Sequence, residues 1–586
     1  MYRFERSAYE ARMQWFREAR FGLFLHWGLY AIPARGEWVR SNERMPEEEY
    51  LPYFDEFSAP DFDPKAWARA AKEAGMRYAV LTAKHHDGFC LFDSKLTDFK
   101  STNTPCGRDI VREFLEAFRA EGLRVGLYFS LLDWHHPDFP HYGDRHHPMG
   151  GDPAYSNENR NFDRYLDYMH GQVRELCENY GKIDIFWFDF SYDDMRGERW
   201  RAAELADMVR SLQPGVILDN RLEVSGEGFG SLYECAPTPW HGDFVSPEKI
   251  IPPNGLQDVQ GNDLAWEACV TMNQNWGYCS GDHYYKPAGM LIKKLVECVS
   301  KGGNLLLNVG PDARGNFPPE SIERLKAIGS WMKRNHPSIY GCGKSGIEKP
   351  DYGRVTRNGN RLYFHIYENT LGPLPLMGLK KEQISRIRWL ATGAEIQIST
   401  SWVHSDYPEI VFADLGANPV LPDEVDTVIE VTLREDAYTG KEIHIRWDMP
   451  LQIDRAISQM NDGEIGLYYI TKMHYGKERS QYIGKSTYCI KDRLRAFMNH
   501  HMIGLSNRYF VRIGRVVMPK NADEFTINHA EKALIYEHGE AGSGILEFNV
   551  ASTQSYHYTA LYRIYNEGDI FELNPVVDMN MHPELQ

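Results

Sequence analysis

Five short apolar runs within the first 221 residues each lead into side chains able to do chemistry. Phe21–Leu25 runs into His26-Trp27-Gly28, and Tyr78–Ala83 into Lys84-His85-His86-Asp87-Gly88. Val125–Ser130 precedes Asp133-Trp134, Ile185–Phe188 stops at Asp189, and Val216–Leu218 stops at Asp219-Asn220-Arg221. One such group is as easily a helix cap or a solvated loop residue; five in succession argue for a shared site. The adjacent His85 and His86 cannot sit one turn apart on a helix, so metal-ligand spacing is missing. There is no GxSxG elbow and no phosphate-binding loop. Carboxylates, imidazoles, one arginine and many indoles remain. That set suits glycosidic cleavage, in which two carboxylates flank the anomeric carbon and aromatic rings hold the sugar's apolar face.

The elements that must position these groups alternate. Between the runs, and before Asn304–Val309, lie amphipathic stretches at Pro64–Ala74, Asp109–Ala120, Asn161–Asn179 and Gly197–Ser211. Continuous apolar runs alternating with helices imply a parallel sheet buried on both faces, and this many units in about 345 residues favour a (β/α)8-like barrel. A doubly wound sheet fits less well, because no GxGxxG follows the first strand. A barrel places catalytic groups at the carboxyl ends of its strands, where these groups stand.

From about residue 346 the helical period stops. Arg361–Ile366, Glu395–Ser401, Thr427–Leu433 and Glu442–Trp447 alternate or run β-branched between glycines and prolines, reading as an antiparallel β-sandwich. Asp448-Met449-Pro450 reads as the next boundary. The predicted organisation is multidomain α/β: barrel 1–345, sandwich 346–450, and a small α+β domain at 451–586.

At 586 residues the chain is too long for one core, and 42% apolar with 25% charged residues excludes disordered, collagen-like and coiled-coil classes. A net charge of -17 argues against wrapping a polyanion, yet it is unevenly spread: residues 451–586 carry 14 Lys+Arg and 16 Asp+Glu. Lys485, Lys491, Arg493, Arg495, Arg508, Arg512 and Arg515 form a basic strip there. The nine cysteines form no CxxC pair, the amino terminus has no apolar signal core, and no run reaches the roughly 18–20 apolar residues of a membrane span. A cytoplasmic location with no membrane partner is expected.

The segments Ala19-Arg-Phe-Gly-Leu-Phe-Leu-His-Trp-Gly28, Glu37-Trp38, Lys84-His-His-Asp-Gly88, Gly126-Leu-Tyr-Phe-Ser130 and Phe186-Trp-Phe-Asp189 resemble the α-L-fucosidases of glycoside hydrolase family 29. Gly242-Asp-Phe-Val-Ser-Pro-Glu248, Trp266-Glu-Ala-Cys, Trp276-Gly-Tyr278 and Lys301–Pro311 continue the likeness. It covers about residues 10–345, and the sandwich belongs to the same pattern. The resemblance implies an exo-acting, retaining hydrolase of terminal fucosyl residues. Asp189 would be the nucleophile. His26, Glu37, Trp38, His85, His86, Tyr128 and Arg221 would bind fucose, while Trp187 and Trp276 would shape its pocket. The general acid/base comes from a variable loop in this family. Glu248 is preferred over Glu267, which reads as the start of an apolar helix where its charge would favour the helix N-terminus. No cofactor is implied; fucosylated glycans or glycosides are.

Gly466-Leu-Tyr468 and Tyr482-Ile-Gly484, followed by Arg493 and then His529-Ala-Glu531, resemble the GIY-YIG nuclease domain over about residues 463–555. Leu467 replaces the usual isoleucine, and the 13 residues between the two tyrosines read as a loop insertion. By resemblance, Tyr468 and Tyr482 would help position the attacking nucleophile and Arg493 would neutralise the scissile phosphate. Glu531 would hold Mg²⁺, DNA would be the partner, and the basic strip would supply phosphate contacts. Asn549 follows in the same pattern. The competing class is a carbohydrate-binding or scaffold protein whose last domain only docks nucleic acid or mediates assembly. Oligomerisation is compatible with either.

Overall fold

The computed structural model describes residues 3–224, 228–259, 262–400, 405–416, 419–434, 442–501, 506–518, 522, 524–539, 546 and 562–579. It divides into two compact units. One comprises residues 1–260, 264–345 and 349–435; the other comprises 261–263, 346–348 and 436–586.

Seven parallel strands organise the first unit: β1 (Phe21–Leu25), β2 (Tyr78–Lys84), β3 (Arg124–Ser130), β4 (Ile185–Asp189), β5 (Ile217–Leu218), β6 (Glu267–Thr271) and β7 (Asn304–Val309). Their order is β5-β4-β3-β2-β1-β7-β6. Side chains alternate along each strand. Phe24, Val80, Tyr128, Trp187, Ile217, Cys269 and Leu306, one from every strand, meet in a single buried cluster. Such a meeting requires the sheet to curl around them. The alternate set, including Leu23, Leu81, Phe129, Phe186 and Leu307, packs outward in the larger core.

An eighth regular strand is absent among the described residues. The extended segment 243–249 spans the gap, taking a backbone hydrogen bond from Asp243 to Leu218 on one side and exchanging bonds with Ala265, Glu267 and Cys269 on the other. This segment carries Glu248 on a stretch with no regular pairing, which explains why its sequence did not read as a strand.

The expected helices form at Pro64–Glu73, Ile110–Ala120, Phe162–Asn179 and Ala202–Leu212. Asp63, Asp109 and Asn161 cap the first three by accepting first-turn backbone N–H groups. Each cap contributes on the order of 1 kcal/mol. After β7 and the helix Pro319–Asn335, a five-stranded antiparallel sheet (Ile384–Trp389, Thr427–Leu433, Arg361–Ile366, Gly353–Asn358, Gly343–Lys344) and a two-stranded ladder complete the unit. Trp331 fastens this sheet to that helix by donating to the Asp426 carbonyl at 3.0 Å. Of the strand expected at Glu395–Ser401, the described residues 395–400 make only isolated bridges, from Glu395 to Arg388 and from Ile398 to Ala413.

Two expectations are corrected by strand pairing. Glu442–Trp447 pairs with Tyr509–Met518 and Arg563–Gly568, so it belongs to the C-terminal unit and that unit begins before Pro450. Alternation marks a strand but not its partner, and this one found its neighbours later in the chain. The 13 residues between Tyr468 and Tyr482 are not a loop insertion either: Gly466–His474 and Lys477–Ser486 extend into a long hairpin. Tyr475 and Gly476 close it with φ of +48° and +77°, the signature of a two-residue type I′ turn.

The C-terminal unit is α+β. Its sheet runs Lys477–Ser486, Gly466–His474, Tyr509–Met518, Glu442–Trp447, Arg563–Gly568 and Val576–Asp578, with helices at Ile453–Gln459, Ile490–His501 and Glu524–His538. Among the described residues no helix is long and apolar enough to cross a membrane.

Candidate active site

Asp189, the last residue of β4, is buried at the carboxyl end of the curled sheet. Tyr128 donates to its Oδ2 at 2.7 Å, and Arg221 Nη1 donates to its Oδ1 at 2.8 Å. The same Nη1 reaches Glu248 Oε2 at 3.1 Å. The two carboxylate oxygens can therefore lie no farther apart than those two bonds laid end to end. That limit sits near the about 5–5.5 Å of a retaining pair and below the about 6.5–9.5 Å of an inverting one. Burial pushes the Asp189 carboxyl up, and Arg221 pulls it back only in part. Burial also works against the Arg221 charge, but Asp189, Cys269 and Glu248 outweigh it and keep the guanidinium cationic.

Arg221 is itself held rigidly. Its Nε donates to Ser246 Oγ and its Nη2 to the Ser246 carbonyl, each at 3.1 Å, and its guanidinium lies 4.5 Å over the Trp187 ring. Trp187 is also stacked 5.6 Å from Tyr128, so its ring packs against both groups that hold Asp189. Glu248 is 40% exposed at its side chain and accepts from Trp276 Nε1 at 3.3 Å. A partly open carboxylate, Glu248, thus stands beside a closed one, Asp189.

The neutral polar wall comes from β1, β2 and their following loops. His26 lies 5.7 Å from His85, and His85 lies 4.1 Å from His86, ring to ring. Burial pushes His26 down to about 3 and keeps His85 and His86 uncharged as well. Trp38 packs 4.9 Å from His86. Glu37 is buried and accepts the backbone N–H groups of Trp276 and Gly277 at 3.1 and 2.7 Å. All eleven residues expected in the barrel site thus converge: Asp189 and Glu248 with His26, Glu37, Trp38, His85, His86, Tyr128, Trp187, Arg221 and Trp276. Among the described residues, no group of three His, Cys, Asp or Glu could hold a metal ion.

A family model described as alpha-L-fucosidase matches residues 2–337. The chain belongs to the α-L-fucosidase family. Among solved structures, alpha-L-fucosidase isoenzyme 1 from Paenibacillus thiaminolyticus is 54% identical with a TM-score of 0.71, covering 73% of this chain and 100% of that one. A family 29 alpha-L-fucosidase from Bacteroides thetaiotaomicron is 32% identical with a TM-score of 0.62, covering 73% and 96%. The alpha-L-fucosidase of Dictyostelium discoideum is 30% identical over 390 residues, 60% of this chain and 77% of that protein. The chain is a glycoside hydrolase of this α-L-fucosidase family, with about a quarter of its length outside the solved relatives' coverage.

Glu267 of this fucosidase is corrected twice. It opens strand β6 rather than a helix, and it lies at the amino end of the sheet, paired in register with Asn304. Asp189 stands at the opposite end, a strand length or roughly 13 Å away at about 3.3 Å per residue. Glu267 is fully buried and accepts from the Tyr78 hydroxyl. It therefore cannot protonate a leaving group at the Asp189 site. Burial pushes its carboxyl up to about 8, against roughly 4.3 in an unfolded chain. Between those values the folded state holds the extra proton, so this group makes stability fall as pH rises from about 4.3 to about 8. Glu267→Gln keeps an acceptor for Tyr78 and removes that penalty. Its melting temperature should exceed the parent's near pH 8 and converge with it toward pH 4; parallel melting curves across that range would contradict the assignment.

Four supporting residues were given no role by sequence reasoning. Asn308 accepts from His26, Ser130 meets His86, Ser246 anchors Arg221, and Phe190 follows Asp189 with φ of +82°. A non-glycine residue in that region stores on the order of 1–3 kcal/mol, held here by packing of its ring 4.7 Å from His86. The one legible signal was a polar Asn308 inside the otherwise apolar run Leu305–Val309.

In the C-terminal unit, Tyr468 and Tyr482 lie 6.1 Å apart, ring to ring, on the paired strands of the hairpin. Glu531 and Arg493 both act on these hydroxyls electrostatically, so the four expected residues gather in one place. Lys485 Nζ stands 3.2 Å from Glu531 Oε2. The basic strip is corrected. Lys491 pairs with Asp462, Arg495 with Asp492, Arg512 with Glu478 and Asp569, and Arg515 with Asp448 and Glu464. Only Arg493 and Arg508 of the seven lack a carboxylate partner among the described residues. The acids that neutralise the others come mostly from distant stretches, which a local charge count cannot see. Asn549 lies outside the described residues.

Proposed function

We propose that the chain is a retaining exo-α-L-fucosidase whose nucleophile is Asp189 and whose acid/base is Glu248. The observation that carries this reading is Arg221 Nη1 bonded to both carboxylates, with Tyr128 on the second oxygen of Asp189. In the first step an Asp189 oxygen attacks the anomeric carbon while Glu248 gives its proton to the departing glycosidic oxygen, leaving a fucosyl-enzyme ester. In the second, Glu248 takes a proton from water, whose oxygen displaces Asp189 and releases fucose. Arg221 and Tyr128 hold the carboxylate charge that is consumed and then restored. The wall of buried His26, His85, His86 and Glu37 with half-buried Trp38 suits one terminal sugar, with Trp276 and Trp187 shaping its bed. A trapped covalent intermediate of the Bacteroides thetaiotaomicron fucosidase supports the same course here. Proton magnetic resonance of the first product anomer tests it: α-fucose before mutarotation is expected, and initial β-fucose would refute retention.

Every group in this reaction is a side chain, so no cofactor is assigned to it. Fucosylated glycans or glycosides are the proposed substrates. The nine free thiols support placing the enzyme in the reducing cytoplasm.

A second reading concerns the C-terminal unit and rests on the gathering of Tyr468, Tyr482, Arg493 and Glu531. It is a GIY-YIG-type, metal-dependent DNA-cleaving module. Mg²⁺ is commonly held by one or two carboxylates together with substrate phosphates and water. Glu531 as the single carboxylate fits that mode once Lys485 yields its oxygen. A bound divalent cation would polarise the scissile phosphate. Arg493 would meet the phosphate, and the tyrosines would orient the attacking oxygen. With two unpaired cations, about 2 phosphate contacts are supported, a salt slope near -1.8 rather than a steep one. Nicking of supercoiled DNA should require Mg²⁺, disappear with EDTA and disappear in Glu531→Ala, while fucoside cleavage survives both. Nicking that persists in Glu531→Ala would reject the module; its absence in the parent would favour docking or assembly instead.

A further inference from the structure

His26 and His86 each have one ring nitrogen engaged by the protein scaffold, and the partner's chemistry fixes which tautomer is present. Asn308, on β7, donates from Nδ2 to the Trp276 carbonyl at 2.7 Å. That bond settles the amide orientation, because a carbonyl oxygen cannot receive the amide's own oxygen. Asn308 Oδ1 therefore faces His26 Nδ1, at 2.7 Å. An amide oxygen can only accept, so Nδ1 carries the hydrogen. Burial keeps the ring neutral with a single proton, leaving Nε2 a bare acceptor.

The second ring is fixed independently. Ser130 Oγ donates its one hydrogen to the Leu132 carbonyl at 2.9 Å and accepts the Leu132 amide at 3.0 Å. Against His86 Nδ1, at 2.7 Å, it has only a lone pair left to offer. With the serine hydrogen on the Leu132 carbonyl, His86 Nδ1 is the donor and its Nε2 is bare as well. Neither Nε2 has a hydrogen-bond partner in the protein among the described residues.

We infer that Asn308 and Ser130 are positioning residues that lock His26 and His86 as Nδ1–H tautomers, so that these two rings offer the sugar acceptors only and select substrates with free hydroxyl groups at those two positions. This rests on His26 and His86 being sugar-binding residues of the proposed fucosidase. Glu37 adds a third acceptor to the same wall, and its Oε2 is bonded by the peptide of Trp276, whose carbonyl Asn308 holds. One side chain thus ties the His26 ring to the Trp276 backbone, whose amide in turn holds the Glu37 carboxylate. A deoxy or O-methylated sugar would leave a buried lone pair without a donor, which costs a site of this kind about 10⁴-fold or more in kcat/KM.

Neutron diffraction from deuterated crystals of the intact chain reads the tautomers directly. Deuterium is expected on Nδ1 and not on Nε2 of both rings; deuterium on Nε2 of either ring would overturn the inference. Kinetics with aryl α-L-fucoside and its monodeoxy derivatives supply the second arm. Asn308→Asp can still accept from Nδ1, but it cannot donate to Trp276, and its charge favours an imidazolium whose Nε2 is a donor. One monodeoxy substrate should be penalised about 10⁴-fold in the parent and at least tenfold less in the variant. An unchanged penalty for every monodeoxy substrate would also overturn the inference. Correct tautomers in a chain that cleaves no fucoside would reject the fucosidase reading alone, whereas active enzyme with the wrong tautomers would reject this one alone.

Discussion

Asp189→Asn is expected to lower kcat for aryl α-L-fucosides by about 10⁴–10⁶-fold, the cost typical of deleting a covalent nucleophile. The amide can still accept from Tyr128 at one atom. At the other it turns an NH₂ toward Arg221, which already donates there at 2.8 Å. The fold should survive, since the altered contact is local and the curled sheet is held by seven strands of packing. Asp189→Gly offers a sharper form of the same test. Azide should enter the vacated space, restore turnover of an activated α-fucoside and yield the β-fucosyl azide. Parent-like hydrolysis in either variant would remove Asp189 from the mechanism. The pH profile carries the same information. Attack needs the ionised carboxylate, and burial raises the Asp189 carboxyl above its ordinary range. The acid limb of kcat/KM should therefore lie above that of an exposed aspartate, and rate should fall as pH drops through it. Tyr128→Phe removes a donor to the ionised form and should move that limb to higher pH.

Glu248→Ala is the second large effect, and its size should depend on the leaving group. Proton donation contributes about 10²–10⁴-fold where the departing alcohol is a poor leaving group. For natural glycosides kcat/KM should fall by that much, whereas an activated aryl fucoside should lose far less in its first step. Glu267→Gln serves as the control, because that carboxyl lies at the far end of the sheet with Tyr78 and should leave turnover nearly intact. If Glu267→Gln were the variant with leaving-group dependence, the site as described would be wrong.

The strands and helices of the first unit were legible because both periods were strongly written. Apolar runs ended in polar groups, and the helix starts expected at Pro64, Asp109 and Asn161 lie within one residue of those the structure forms. The convergence of the candidate site was legible for the same reason: parallel strands deliver their carboxyl ends to one face, where Asp189, Tyr128 and the histidines meet. Pairing was not legible. Glu267–Thr271 is short enough to pass for a helix start, and nothing local distinguishes the amino end of a strand from its carboxyl end. Glu442–Trp447 alternates like any half-buried strand, and only its partners at Tyr509–Met518 and Arg563–Gly568 assign it. Ion pairing was hidden for a related reason. Arg512 and Arg515 look like phosphate ligands until Glu478, Asp569, Asp448 and Glu464 close on them. Asn308 and Ser130 show the same limit at finer scale, since a tautomer depends on a partner two or more bonds away in space.

Covalent trapping tests the central claim most directly. The chain would be incubated with 2-deoxy-2-fluoro-α-L-fucosyl fluoride, whose 2-fluorine slows both steps while its anomeric fluoride departs readily enough for the ester to form and accumulate. Digestion and tandem mass spectrometry would then locate the sugar. A stoichiometric fluorofucosyl ester on Asp189, lost in Asp189→Asn and formed normally in Glu267→Gln, is the predicted result. An unlabelled protein that still hydrolyses fucosides, or a label on any other carboxylate, would contradict the account.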